Sequence, residues 1–118
     1  MTETDLMWDL VRRIPHAIPD ARPFRRAVVN VEAKQGFRVK AGIKGQCDLY
    51  LYVRGGRVLE VETKARRGVL SERQLAWQAF CRSLSIPHIV LTQRADESTE
   101  DTVQRWIVEI TKEIASWR

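Results

Sequence analysis

The stretch from Asp48 to Lys64 constrains the fold most. Asp48-Leu49-Tyr50-Leu51-Tyr52-Val53 alternates, Gly55-Gly56 follows, and Val58-Leu59-Glu60-Val61-Glu62-Thr63-Lys64 alternates again. Period-two patterning on both sides of a glycine pair marks a β-hairpin. Leu49, Leu51 and Val53 share one face of its first strand, and Leu59, Val61 and Thr63 share one face of its second. The other faces carry Asp48, Tyr50 and Tyr52, and Glu60, Glu62 and Lys64. A two-residue Gly-Gly loop would set Leu51 opposite Glu60 and Asp48 opposite Thr63, mixing apolar and charged residues on both faces. A shift of one residue keeps the faces consistent. The pattern therefore predicts an odd-length loop of three residues, or a bulge, around Arg54 to Arg57. Asp48 then stands across from Glu62 or Lys64, on their face.

Helical spacing of Leu6, Met7, Leu10, Val11 and Ile14 predicts a first helix, capped by Thr2 or Thr4 and closed by Pro15. Glu3 lies on the same stripe as Met7, Leu10 and Ile14, an unusual place for an acid unless something there needs it. Pro15, Pro19 and Pro23 mark an irregular connection. Phe24 to Val31 and Phe37 to Ala41 read as strands, with Gln35-Gly36 as the turn between them. Gly42 and Gly45 frame a loop carrying Lys44. Ser71-Glu72-Arg73-Gln74 has capping-box form and opens a helix whose buried stripe is Leu75, Ala76, Ala79, Phe80 and Leu84. His88 to Thr92 reads as a strand. Ser98 caps a last helix with an apolar seam of Val103, Trp106, Ile107, Ile110, Ile114 and Trp117. The expected fold class is α/β: a small mixed β-sheet flanked by helices, one domain over residues 1–118.

Charge is unevenly spread. Arg22 to Arg67 holds 12 Lys/Arg against 4 Asp/Glu, whereas Ser71 to Arg118 holds 6 against 7. A basic half on a small chain suggests a polyanionic partner, because each neutralised phosphate releases counterions. Three of the four acids in that stretch are Asp48, Glu60 and Glu62, and carboxylates inside a basic stretch need a reason. Other classes fall away on composition. No apolar run approaches the ~18–20 residues of a membrane span. The first 13 residues are amphipathic and carry three acids, unlike a secretory or transit signal. Cys47 and Cys81 are expected to be reduced thiols of a cytoplasmic protein. The lone His16 and His88, with no CxxC, exclude a zinc site of paired Cys and His.

The chemistry-bearing set is Asp48, Glu62 and Lys64. Glu-x-Lys on a strand puts a carboxylate and an ammonium on one face, about 6–7 Å apart along the chain. Asp48 from the neighbouring strand completes a triangle. Two carboxylates forced together repel unless a cation sits between them. Mg²⁺ or Mn²⁺ suits them, taking one or two carboxylates, waters and substrate phosphate. Such an ion polarises a phosphate and lowers the pKa of attacking water. Lys64 can hold or activate that water, or stabilise the transition-state charge. The same residues also fit an ordinary salt-bridged hairpin face.

The run Lys44-Gly45-Gln46-Cys47-Asp48, Leu59-Glu60-Val61-Glu62-Thr63-Lys64 and Gly68-Val69-Leu70-Ser71-Glu72-Arg73-Gln74-Leu75-Ala76-Trp77 resembles the virus-type replication-repair nuclease (VRR-NUC) family of the PD-(D/E)XK nuclease superfamily. The shared pattern is Lys-Gly-x-x-Asp leading into a strand, an acid-x-Lys strand, then a Gly-x-Leu-Ser-x-x-Gln helix start. It covers about Phe24 to Gln93. The resemblance implies a restriction-endonuclease-like core in the order α-β-β-β-α-β-α. It implies Asp48 and Glu62 as metal ligands, the Thr63 carbonyl as a further ligand and Lys64 as the catalytic lysine. Gln74 matches the family's helix glutamine near the site, a role compatible with capping. The superfamily also places an acid on its first helix, for which Glu3 is the candidate. Glu60 is a salt-bridge partner or an additional ligand. Cys47 stands where the superfamily often has proline, which alters only the shape of the turn.

Lys44, Lys40, Arg38, Arg66 and Arg67 flank the acids and are the expected phosphate contacts. Tyr50 and Tyr52 either support the cleft floor or simply pack; Trp77, Trp106 and Trp117 read as core or interface residues. The function expected is a Mg²⁺/Mn²⁺-dependent DNA endonuclease, structure-specific in the manner of a Holliday-junction resolvase. It would act as a homodimer in a bacterial or phage-infected cytoplasm, associated with the nucleoid. The last helix's seam would either form the dimer surface or pack on the sheet. The alternatives are a non-catalytic DNA-binding module and an accessory nuclease subunit of a larger assembly.

Overall fold

The computed structural model describes residues 2–26, 29–32, 38–41 and 45–117. Strands β1 (Ala21–Arg25), β4 (Leu49–Val53), β5 (Arg57–Lys64) and β6 (His88–Thr92) form one sheet in the order β1-β4-β5-β6. β1, β4 and β5 pair antiparallel and β5 with β6 parallel. Strands β2 (Val29–Glu32) and β3 (Arg38–Ala41) pair separately. With helices α1 (Glu3–Ala17), α2 (Glu72–Ser83) and α3 (Thr99–Ala115), the four-stranded mixed sheet follows the order α-β-β-β-α-β-α. The fold is α/β, as expected. The continuous strand expected over Phe24 to Val31 is instead two strands in two sheets, β1 and β2. The expected Gln35-Gly36 turn and the Gly42–Lys44 loop lie outside the described residues.

The hairpin closes as the alternation requires. Leu49 pairs with Val61, Leu51 with Leu59 and Val53 with Arg57, leaving Arg54-Gly55-Gly56 as a three-residue loop. Gly55 and Gly56 have φ of 94° and 76°, the left-handed region that a side chain disfavours. This register gives the sheet one apolar and one polar face. On the apolar side Leu49, Leu51, Leu59, Val61 and Leu91 join Leu6, Leu10 and Ile14 of α1 and Val103, Trp106 and Ile110 of α3 in the core. Each fully buried aliphatic side chain contributes about 1.5–3 kcal/mol, whereas exposed ion pairs give about 0–1 kcal/mol. The apolar face therefore sets the fold, and the polar face is free to carry chemistry.

Local signals explain the helices. Thr2 caps α1 in a reciprocal box with Asp5, and Ser98 caps α3 by accepting from the Asp101 amide at 3.1 Å. Pro15 does not close α1, which runs to Ala17 with Ile18 N–H donating to Ile14 O at 2.8 Å. A proline in the last turn removes a single helical bond, which the remaining burial of Ile14 outweighs. The α3 seam packs on the sheet rather than offering a free surface.

Helix α2 departs most from expectation. Its supposed buried stripe faces outward: Leu75, Phe80 and Leu84 are 50%, 47% and 59% exposed, and Ala76 and Ala79 are exposed too. The helix lies over the polar face and turns Gln74, Trp77 and Cys81 toward it. Apolar spacing identifies a helix face but not which face is inward when the surface beneath is polar. Among the described residues, no helix is long and apolar enough to cross a membrane.

Candidate metal and phosphodiester site

The register lines up the site. β1 pairs Arg25 with Leu49 and β4 pairs Leu49 with Val61, so Arg26, Asp48 and Glu62 follow in one row across the sheet. Strand alternation places their side chains on the polar face. Lys64 is next on that face, its Nζ 3.8 Å from Glu62 Oε1. Gln74 reaches in from α2, donating its Nε2–H to Glu62 Oε1 at 2.7 Å. Its Oε1 meanwhile accepts from the Ser71 amide at 2.9 Å, so one side chain caps the helix and holds the carboxylate. Asp48 is exposed at the mouth, whereas Glu62 is 6% exposed.

Burial dominates the electrostatics of this set. Burial pushes the Glu62 carboxyl up; Lys64 and the Cys47 thiol oppose this, and the Asp48 and Glu3 carboxylates push it further up. The result is a rise from 4.5 to about 7. Glu3, half-buried at the start of α1, exerts the smallest of these influences and makes no contact with Glu62 among the hydrogen bonds and ion pairs of the described residues. Asp5 and Asp9 are used elsewhere, in the α1 cap and in pairs with Arg12 and Arg13.

The backbone contributes too. Glu60 N–H bonds Pro87 O and Lys64 O accepts from Gln93 N–H, both on the β6 side. By alternation the Thr63 carbonyl points to the β4 side, past the last β4–β5 pair at Leu49 and Val61. The donors Asp48, Glu62, Glu3 and the Thr63 carbonyl are all hard oxygens. Among the described residues no three Asp, Glu, His or Cys side chains are gathered closely enough to cage an ion. Asp48, Glu62 and the Thr63 carbonyl offer oxygen donors of the type Mg²⁺ and Mn²⁺ take.

Glycine explains how the turn before Asp48 meets α2. Gly45 has φ of +90°, and a Cβ there would lie 2.4 Å from the Arg73 carbonyl oxygen. The turn from Gly45 to Asp48 thus lies directly on the first turn of the helix carrying Gln74. Only a residue without a side chain allows that approach.

Arg26 is the residue that sequence reasoning missed. Its guanidinium forks onto Glu60 at 2.6 and 2.7 Å and touches the Cys47 carbonyl at 3.2 Å. Its backbone N–H donates to Asp48 O at 2.6 Å. Glu60, 2% exposed, also accepts from Trp77 Nε1 at 3.1 Å. Glu60 is thereby a salt-bridge partner, and Arg26 holds the chain that presents Asp48. Only the β1–β4 pairing, which alternation within one strand does not reveal, could have pointed to it.

Other expected residues are less gathered. Arg66 bonds the Arg94 and Glu97 carbonyls and so holds a loop rather than standing free for phosphate. Arg67 is exposed at φ 60°. Lys44 lies outside the described residues; Lys40 and Arg38 lie on β3, where the backbone pairing is described. Cys47 lies 3.4 Å from His88 Nε2, and burial pushes its thiol far up, so it stays protonated and non-nucleophilic. Neither a family model nor a curated protein matches the chain.

Proposed function

We propose that the chain is a Mg²⁺/Mn²⁺-dependent DNA nuclease of VRR-NUC type, hydrolysing phosphodiester bonds in branched or junction DNA. The observation that carries this reading is the row on the polar face: Asp48 and Glu62 stand side by side on adjoining strands, with Lys64 Nζ 3.8 Å and Gln74 Nε2 2.7 Å from Glu62 Oε1. Acids facing one another beside a basic chain suit a cation and a phosphate.

Bound there, the ion would polarise the phosphate and lower the pKa of the attacking water. Asp48, Glu62 and the Thr63 carbonyl would hold it, with Glu3 beside them. Gln74 fixes the rotamer of Glu62. Lys64 orients the water or offsets charge on the phosphate oxygens as the P–O bond to the leaving group breaks. Cleavage of a synthetic four-way junction, a flap and a plain duplex, with Mg²⁺, Mn²⁺ or EDTA, tests the reading. Metal-dependent cutting lost in Lys64→Ala supports it. Binding without cutting under any metal means a DNA-binding module instead.

The same reading includes a homodimer in the cytoplasm, with α2 as its surface. Leu75, Phe80 and Leu84 stand outward around Ala76 and Ala79. Glu72 lies in the first turn and Arg82 in the last. An antiparallel pair of α2 helices about a two-fold axis brings each Glu72 to an Arg82 of the second copy. Phe80→Asp should convert a dimer to a monomer in a solution mass measurement, and a monomeric wild type rejects the pairing.

A further inference from the structure

The polar face of the sheet carries a second feature next to the acid row. Phe24 of β1 stands in register with Tyr50 of β4, and Tyr52 follows on the same face. Their rings form one cluster: Phe24 and Tyr50 stack with centroids 5.7 Å apart, Phe24 and Tyr52 are 5.0 Å apart, and Tyr50 and Tyr52 5.5 Å. Phe24 is 43% and Tyr52 54% exposed. Beneath them Tyr50 is half-buried, with the Arg26 guanidinium 4.1 Å from its ring. Two large rings thus face solvent where the α1–α3 core lies on the opposite side of the sheet.

Position gives the cluster its meaning. Two residues along a strand is about 7 Å, so Tyr50 lies about 7 Å and Tyr52 about 14 Å from Asp48. Beside Tyr52 a groove of about 370 Å³ opens, lined by Pro19, Asp20, Arg22, Tyr52, Val53 and Arg54. Arg54 pairs there with Asp20 at 2.7 Å, an exposed pair that a phosphate can displace at little cost. The cluster therefore joins the acid row at one end and the exposed Arg54 at the other.

We propose that Phe24, Tyr50 and Tyr52 form a stacking platform for unpaired bases of a DNA strand whose backbone passes over the Asp48–Glu62 row. The proposal rests on the nuclease reading and deepens it, naming the part of the substrate that is held. Aromatic rings stack on any base, because every base has a π-face. A duplex buries those faces in its own stack, so the platform selects strands with unpaired bases, such as flaps and opened branch points. Arg54 supplies the accompanying attraction for phosphate, whereas Arg22 donates to the Pro19 and Ala21 carbonyls at 2.9 and 2.8 Å and shapes the groove.

Fluorescence anisotropy of labelled single-stranded and duplex oligonucleotides tests this, in EDTA so that nothing is cut. Tyr52→Ala and Phe24→Ala should each weaken single-strand binding about 5- to 150-fold. Duplex binding should change far less, and the salt slope should stay that of the wild type, since no ionic contact is lost. Tyr52→Trp should restore binding. Both residues are substantially exposed, so the alanine variants should keep the far-UV spectrum. Unchanged single-strand binding in the alanine variants overturns the platform, as does an equal loss on duplex. A fall in molecular mass in the double alanine variant also overturns it, because a second copy would then cover the rings. The two readings separate. Metal-dependent cutting with undiminished strand binding in the alanine variants sinks the platform alone. Ring-dependent strand binding without cutting under any metal sinks the nuclease alone.

Discussion

Glu62 and Glu97 are both carboxylates held beside a cation, and they are driven in opposite directions. Glu97, in the loop before α3, accepts from Arg105 at 2.6 and 2.8 Å, from the Arg94 amide at 3.1 Å and from Thr102 Oγ1 at 3.0 Å. Led by the Arg105 hydrogen bonds, these donors hold it down at about 2. Glu62 has one amide donor and an ammonium at 3.8 Å, with Asp48 and Glu3 opposing, and stands at about 7. The difference lies first in burial, which desolvates Glu62, and then in the donor count and the sign of the neighbours. Where a carboxylate only ties a loop, the chain surrounds it with donors. Where it faces acids of its own kind, the arrangement costs stability and calls for another explanation.

The sharpest break of this contrast is catalytic. Glu62→Gln keeps shape and loses charge, and should cut junction DNA about 10²–10⁴-fold more slowly. Glu97→Gln should leave the cutting rate in Mg²⁺ within about twofold. Equal losses in both variants would mean that Glu62 is structural, like Glu97.

Arg26 and Glu60 give a third case, a charge pair that is structural in contact and functional in position. Arg26→Ala leaves Glu60 buried with only Trp77 as donor, and should cost about 3 kcal/mol in urea unfolding. Replacing both partners, Arg26→Met with Glu60→Leu, should recover much of that stability. It should not recover cutting, because the Cys47 carbonyl contact that steadies Asp48 is gone. Recovered cutting would show that Arg26 serves only to neutralise Glu60.

The contrast was partly legible in the sequence. The hairpin register followed from alternation and the glycine pair, and it put Asp48 and Glu62 together. Gln74 was legible as a helix cap, and its place near the strand came only from the family resemblance; Glu3 was marked only as an acid on an apolar stripe. Arg26 was hidden because its role depends on which strand lies beside β1. The orientation of α2 was misread because its inward residues, Gln74, Trp77 and Cys81, serve a polar face, whereas hydrophobic spacing assumes an apolar one. Local pattern reports what each element can bury; only the pairing of distant strands reports what stands next to what.

The smaller, gentler test is stability against pH. Glu62 has a raised folded pKa, so between about pH 4.5 and 7 the native state binds more protons than the unfolded chain. Stability from this group is full below that window and falls as pH rises through about 7. Solvent at the cleft mouth screens part of the effect, leaving about 2 kcal/mol. Glu97 runs the other way: its depressed pKa stabilises the fold above the unfolded value, and this is lost as pH falls toward 2. Thermal unfolding without added metal should therefore show the wild type losing melting temperature from pH 5 to pH 8. Glu62→Gln should flatten that fall, and Glu97→Gln should leave it intact while removing part of the loss at the acid end. Millimolar Mg²⁺ should raise the wild-type melting temperature at pH 8 and leave Glu62→Gln unmoved, because an ion that binds the folded carboxylate stabilises by mass action. A wild-type profile flat from pH 5 to 8 would show that Glu62 is as well satisfied as Glu97, and the distinction between the two glutamates would vanish.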